Sequence, residues 1–289
     1  MKSILSIIVF QHSKYQNLYM KITDADYFLP IIEAQIAFKE FSTGRNKPLP
    51  VRGICQKTFQ KNDYVVKFKN SAEMTVEASC RELLGSFIAM ELGLSVPKPV
   101  LVSITHDFTQ LLKGKSSYVV ANNSKGLNFG CVFENGYYDI LRNQSLSDAQ
   151  KNQVNYIFPF DVFISNADRR IDKPNLLTNG NNIMIFDHEL AFGFVFDIFK
   201  NATPWAIRPQ DKDWIQNHFF FPYLKNKFPD FTIFVGNLTL LDDSFWEKAF
   251  LLIPDEWKTE QLHEIKSYLQ ALITRKDVFL QELQNVLFR

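Results

Sequence analysis

The first 120 residues contain the short apolar runs that are typical of β-strands. Residues 64–68 form a β-branched and aromatic run after the turn residues 61–63, and similar runs at residues 100–104 and 117–121 predict two further strands. Residues 75–92 follow another period, because their apolar side chains recur every three or four positions as in an amphipathic helix. The pattern therefore predicts a β-rich N-terminal region with one long helix.

From about residue 125 onward the periodicity indicates helices. Ser147 and Gln150 form a capping-box sequence before an apolar segment, in which Pro159 is expected to kink or split the helix. Residues 258–288 are almost continuously helix-forming, with one apolar face. We therefore expect an α+β fold of two lobes, a β-rich one over residues 1–122 and a mostly helical one over residues 123–289, with a cleft between them.

Composition and charge exclude several classes of protein. The 289-residue chain is 46% hydrophobic, which is ample for a sizeable core. Its 32 Lys and Arg nearly balance its 31 Asp and Glu, so no global field favours direct binding to nucleic acid or to an anionic membrane. No run reaches the roughly 18 apolar residues of a membrane span. The apolar residues 1–10 are expected to form an extra strand, or else to precede the true start of translation at Met20. Cys55, Cys80 and Cys131 are too scattered for a zinc site and fit a reducing cytosol, which predicts a cytoplasmic protein.

A polar segment, NADRRIDKPNLL at residues 166–177, interrupts these apolar surroundings. Asp168 follows a predicted helix, Asp187 follows a predicted strand, and Asn175 precedes a hairpin turn between them, so we expect the three to share one pocket. Carboxylate and amide oxygens are ligands that Mg²⁺ prefers, and Mg²⁺ completes its shell with water and phosphate. The set therefore predicts a metal-bound nucleotide.

A cation for the phosphates is the second requirement, and Lys67 is the candidate. It lies inside the predicted strand VVKFK, and Glu82 or Glu77 on the following helix could hold it. Taken singly, Lys67 could be a solvated strand lysine, and each acid could be a surface or capping carboxylate. Their order along the chain favours a shared site.

The sequences of three segments resemble those of the HipA-like kinases: ELLGSFIAMELGLSVPKPV, FDVFISNADRRIDKPNLL and IFDHELAF. Their motif order is also similar to that of the phosphatidylinositol 4-kinases. The resemblance, which covers about residues 43–192, implies a two-lobed protein-kinase-like fold that binds ATP and Mg²⁺. It makes Lys67 the phosphate-pairing lysine, Glu82 its helix partner and Asp168 the catalytic aspartate, while Asn175 and Asp187 hold Mg²⁺. The adenine site is expected near residues 119–123.

The chain departs from ordinary protein kinases at two places. No G-x-G-x-x-G occurs, and the only candidate phosphate loop contains Ser42, Thr43 and Gly44, where the resemblance implies control by phosphorylation of a hydroxyl. His188 and Glu189 stand where ordinary protein kinases have Phe-Gly, so no switch built on that Phe is expected.

Arg169 and Arg170 follow the expected catalytic aspartate directly. A cation at this place could neutralise phosphate charge or pair with a phosphorylated loop. A plain salt bridge is the alternative for either arginine.

The sequence thus predicts an ATP- and Mg²⁺-dependent phosphotransferase that acts on protein Ser or Thr, with itself as one candidate acceptor. By analogy with its relatives it could serve as a toxin, and a cognate antitoxin or small DNA-binding protein would then be its partner. Two alternatives stay open at this point: a pseudokinase-like regulatory protein, which the lack of a glycine loop favours, and a lipid or small-molecule kinase. The absence of a basic surface or an amphipathic anchor weakens the lipid alternative.

Overall fold

The computed structural model describes residues 20–41, 46–142 and 144–288. The expected strand at residues 1–10 and the loop residues Ser42, Thr43 and Gly44 lie outside these ranges.

Five strands of the N-terminal region close into a barrel in the order β1-β2-β3-β5-β4. Neighbouring strands are antiparallel except β1 and β4, whose parallel pairing closes the barrel. Alternate strand residues such as Ile32, Val51 and Val102 are buried in its interior, as the period of a strand requires. The strands are β1 (Ile31–Ala37), β2 (Leu49–Cys55), β3 (Lys61–Lys67), β4 (Pro99–Ile104) and β5 (Gly126–Val132).

Helix α1 (Val76–Glu91) confirms the helix predicted from residues 75–92. Thr75 caps its N-terminus, where its hydroxyl accepts a hydrogen bond from the backbone N–H of Ala78 at 3.2 Å. The chain leaves the helix through Gly93, whose φ of 77° is the left-handed conformation that glycine adopts without strain. Almost all of α1 is buried, so it is an internal element between the barrel and the helical region.

The prediction of a strand at residues 117–121 is wrong. After the short helix α2 (His106–Gln110), this segment belongs to another short helix, α3 (Tyr118–Asn123). Ser117 and Ala121, four residues apart, are buried while Val119 is exposed, which is the helical period and not the alternation of a strand. The strand that completes the barrel is β5, beyond the point where the pattern seemed to turn helical. The chain therefore leaves the barrel after Val132, later than expected.

Helix α4 (Asp148–Phe163) begins with the predicted capping box between Ser147 and Gln150. It runs through Pro159 without a break, so the expected splitting does not occur. A second sheet holds three short strands in the order β6-β7-β8. The first lies before α4 along the chain, and the other two lie after it and are joined by the predicted turn at Gly180. They are β6 (Tyr138–Asp139), β7 (Leu176–Thr178) and β8 (Ile183–Ile185).

The C-terminal part is helical and holds most of the larger hydrophobic core. The predicted helical tail is present but is divided in two near Thr274, and Leu262, Ile265, Leu269 and Leu272 form its buried face. Among the described helices, none has the length and apolar character that crossing a bilayer demands. The remaining α-helices are α5 (Lys212–Gln216), α6 (Phe221–Leu224), α7 (Thr232–Asn237), α8 (Asp243–Leu252), α9 (Glu260–Ile273) and α10 (Lys276–Asn285).

Candidate active site

Lys67, at the end of β3, is surrounded by three carboxylates. Its Nζ lies 3.1 Å from Oε2 of Glu82 on α1, 2.5 Å from Oδ1 of Asp187 after β8, and 2.6 Å from Oε2 of Glu189. The side chains are almost wholly buried, so these ion pairs are poorly screened by solvent. Of the two acids that could have held Lys67, Glu82 is the partner and not Glu77.

Burial and charge act in opposite directions on this cluster. Burial alone would lower the pKa of Lys67, but the charges of Asp187, Glu82 and Glu189 raise it well above its ordinary value. Burial raises the pKa of Glu189 to about 7 despite the nearby lysine, and it also raises that of Glu82. At Asp187 burial is outweighed by the charges of Lys67 and Lys173, which hold its pKa well below the usual range. Asp187 is therefore the firmly ionised member of the cluster.

Asp168, Asn175 and Asp187 meet around Lys173. Nζ of Lys173 lies 2.8 Å from Oδ2 of Asp168 and 3.3 Å from Oδ2 of Asp187, while Nδ2 of Asn175 donates to Oδ2 of Asp168 at 3.2 Å. Arg170 approaches the other Asp168 oxygen at 3.4 Å and also pairs with the exposed Asp172. The structure thus brings these three residues together around Lys173, and their shared role as a ligand site stays a prediction.

The backbone at Asn175 and Asp187 is held in an uncommon conformation. Their φ angles are 49° and 67°, in the left-handed region that costs a residue with a side chain about 1–3 kcal/mol. The backbone N–H of Phe186 donates to the carbonyl of Asn175 at 3.3 Å, which ties the two segments together. Such strain persists only where the surrounding structure holds it in place, and strained residues cluster at functional sites.

Arg169 supplies much of that support from inside the protein. It is fully buried, its Nε donates to Asp161 at 2.6 Å, and its Nη1 donates to the carbonyls of Asn175 at 2.7 Å and Phe186 at 3.3 Å. The salt-bridge alternative therefore holds for Arg169, and its burial excludes the direct pairing with a phosphate that its position suggested. Arg170, half-exposed beside Asp168, keeps that option.

Two buried histidines complete the network around Asp161. Nε2 of His218 lies 3.0 Å from Asp161, and Nη2 of Arg169 lies 3.3 Å from Nε2 of His188. Because a guanidinium can only donate, Nε2 of His188 must accept, which makes the ring neutral with its hydrogen on Nδ1. Burial and the charge of Arg169 lower the pKa of His188 to about 3, in agreement with a neutral ring.

Glycine is required where α1 meets the segment that carries these residues. A Cβ at Gly85 would lie 2.6 Å from Cβ of His188, closer than carbon atoms can approach. The backbone N–H of His188 in turn donates to Oε2 of Glu82 at 2.5 Å. Gly85 therefore lets the helix come near enough for Glu82 to reach both His188 and Lys67.

The donor set suits a hard divalent cation. Asp187 is ionised, and the amide nitrogen of Asn175 is engaged by Asp168, which leaves its oxygen for a metal. Glu82, Asp187 and Glu189 also place one oxygen each within 4.8 Å of one another. These residues fit Mg²⁺, with Asn175 and Asp187 as the predicted pair.

Sequence reasoning missed four contributors to this site: Asn46, Asp161, Lys173 and His218. Asp161 could have been found, since an acid inside the apolar run FPFDVF must have a buried partner. The other three are ordinary polar residues in loops, and only the folded chain brings them to the cluster. Glu189 was named for its place after Asp187, without its contact to Lys67.

A family model described as HipA-like kinase matches residues 37–288 of the chain. Among solved structures, the chain is similar to the Helicobacter pylori proinflammatory kinase CtkA, with 15% identity and a TM-score of 0.40 over 89% of this chain and 96% of that one. That similarity is too low to support a conclusion about fold or activity. A search of curated proteins gives no significant match.

Proposed function

Because the chain belongs to the HipA-like kinase family, we propose that it is an ATP- and Mg²⁺-dependent phosphotransferase whose acceptor is a protein Ser or Thr. One observation carries the proposal: four separate segments of the chain converge on one polar cluster, to which they contribute Lys67, Glu82, Asp168, Asn175 and Asp187. A structural salt bridge alone would not require two strained residues at its centre.

In this mechanism Lys67 pairs with the ATP phosphates and Glu82 holds the lysine in place. Asp168 orients the acceptor hydroxyl and accepts its proton, while Asn175 and Asp187 hold Mg²⁺, which would neutralise phosphate charge. Lys173, between Asp168 and Asp187, is placed to offset the charge that gathers on the transferred group. The protein contributes mainly positioning and electrostatics, since phosphoryl transfer asks for little covalent chemistry from it.

We also propose that the barrel and α1 form an N-terminal lobe over the nucleotide and that the helical part forms a C-terminal lobe. Since β5 pairs with β3 and β4, the boundary belongs after Val132 and not at residue 122. The adenine ring would then lie beside the connection at residues 133–137, because α3 packs on the barrel instead of joining the lobes.

The test is transfer of labelled phosphate from Mg·ATP to the protein itself and to a lysate, with Asp168→Asn as the variant. We expect Asp168→Asn to bind Mg·ATP nearly as well as the wild type but to transfer phosphate slower by orders of magnitude, because Asp168 acts on the acceptor. Equal rates would reassign Asp168 to a structural role.

The pseudokinase alternative is favoured by one observation: three carboxylates already surround the ammonium of Lys67, which phosphoryl transfer would need for a phosphate. It predicts that the wild type binds Mg·ATP without measurable transfer to any acceptor. The same assay therefore separates the two functions.

A further inference from the structure

Glu189 is a buried carboxylate that the proposed mechanism leaves without a task. Its Oε2 lies 2.6 Å from Nζ of Lys67, as close as the partners that the mechanism does use. Its backbone carbonyl accepts from Nε of Arg81 at 2.8 Å, so the residue is anchored to α1 as well.

Asn46 fixes the other oxygen of this carboxylate. Nδ2 of Asn46 donates to Oε1 of Glu189 at 2.5 Å. Its own Oδ1 accepts from Oγ of Ser71 at 3.0 Å and from the backbone N–H of Glu73 at 2.9 Å. A flip of the amide would lose both of these bonds. Asn46 therefore faces Glu189 with its NH2 group, a donor, and not with its oxygen.

Lys67 cannot serve Glu189 and a phosphate equally well. An ammonium has three donors, and Glu82, Asp187 and Glu189 each take one of them in this structure. If Asp187 bound a metal, one donor would become free for ATP, but ionised Glu189 would still compete for the charge of the lysine and repel the phosphates at short range.

We propose that Glu189 sets the affinity for ATP by competing with its phosphates for Lys67, and that Asn46 is the positioning residue that holds Glu189 in the competing place. This inference rests on the proposed function, because it takes Lys67 to be the lysine that pairs with phosphate.

Glu189→Gln tests the competition with almost no change in shape. A glutamine has one oxygen, which can face either Lys67 or Asn46, and it carries no charge. We expect the Kd for Mg·ATP to fall about tenfold, as for the loss of one competing charge-assisted hydrogen bond. We also expect the KM for ATP to fall without a rise in kcat. Asn46→Ala should lower the Kd less, and should add little in the Glu189→Gln background, because both residues act through one contact.

Glu91→Gln is the matched control. Glu91, the last residue of α1, is also a buried glutamate, but its carboxylate accepts a hydrogen bond from Thr23 and does not contact Lys67. The Glu91→Gln variant should bind Mg·ATP with the Kd of the wild type. Thermal melts verify that every variant is folded.

Weaker or unchanged binding of Mg·ATP by folded Glu189→Gln overturns the inference, because Glu189 would then hold Lys67 in its working position. So does an increased Mg²⁺ requirement at fixed ATP, which would make Glu189 a metal ligand beside Asp187. If the wild type and both variants bind no Mg·ATP, the proposed function itself fails and takes this inference with it.

Discussion

Asp161 is the buried anion on which the geometry of residues 166–175 depends. Its two oxygens accept from Nδ2 of Asn166 at 2.8 Å and from Nε of Arg169 at 2.6 Å, and through Arg169 it holds the carbonyl of Asn175. A buried ion pair contributes little compared with a well-packed apolar pair, but removal of one partner leaves an uncompensated charge that costs about 3–5 kcal/mol. The network therefore fixes conformation more than it adds stability.

Asp161 also predicts how stability depends on pH. Burial would raise its pKa, but Arg169 and His218 outweigh burial and lower the pKa to about 2 from an ordinary value of 3.8. A carboxyl whose pKa is lower in the folded state stabilises the fold above its unfolded pKa and loses that contribution as pH falls towards the folded pKa. We expect the free energy of unfolding contributed by Asp161, about 2 kcal/mol at neutral pH, to disappear between about pH 4 and pH 2.

Urea unfolding of the wild type and Asp161→Asn at several pH values measures this contribution. The difference between the two proteins should shrink as pH falls below 4. A difference that stays constant over this range would show that Asp161 titrates as an ordinary carboxyl.

Single residues were predictable where their chemistry depends on order along the chain. Lys67 lies in a predicted strand, while Asp168, Asn175 and Asp187 stand next to predicted helix or strand ends, and the structure brings the four together. The contribution of Asn46 was not predictable, because it is a hydrogen bond to Glu189, which lies 143 positions away along the chain. The roles assigned to all of these residues stay predictions.

Secondary structure elements were predictable where local signals agree with packing. Ser147 caps its helix as expected, since a cap is a local hydrogen bond, and the helix predicted from residue 75 begins with Thr75 as its cap. Strand β5 was missed because glycine and asparagine are poor strand formers, yet a Cβ at Gly130 would lie 2.5 Å from Cγ2 of Val102. The barrel needs a glycine at that place, and only the folded sheet reveals the reason.

Helix α1 depends on Gly85 in a similar way, which gives a prediction for Gly85→Ala. The added Cβ must push α1 away from His188, so we expect lower thermal stability, by about 1–3 kcal/mol as for other overpacked sites. Phosphate transfer should also fall, because Glu82 would move away from Lys67. A thermal melt and the labelled-ATP assay measure both effects.

Gly236→Ala is the control for that change. Gly236 is exposed on α7 and a Cβ there would meet no atom within 4 Å. Alanine should leave activity unchanged and stabilise the helix by about 0.5–1 kcal/mol. Equal behaviour of the two variants would refute the packing argument for Gly85.

On the scale of the whole molecule, the site exists only where the barrel meets the helical region. Lys67 and Asp187 are 120 positions apart, and α1 contacts both β5 and the C-terminal helices α8 and α9. The α+β composition of the chain and the order of its parts were predictable from sequence. The closure of the barrel through the parallel pair β1 and β4 was not, because no local pattern specifies which distant strands pair.

The central claim is that Asp187 helps this cluster hold Mg·ATP, and calorimetric titration of ATP into the protein with and without Mg²⁺ tests it most directly. The wild type should bind ATP more tightly with Mg²⁺, and Asp187→Ala should lose the metal-dependent part of the affinity, because a firmly ionised carboxylate is the strongest metal ligand available there. Asp172→Ala, which removes an exposed carboxylate from the same loop region, should behave as the wild type. Undiminished Mg·ATP affinity in folded Asp187→Ala would contradict the assignment of this site.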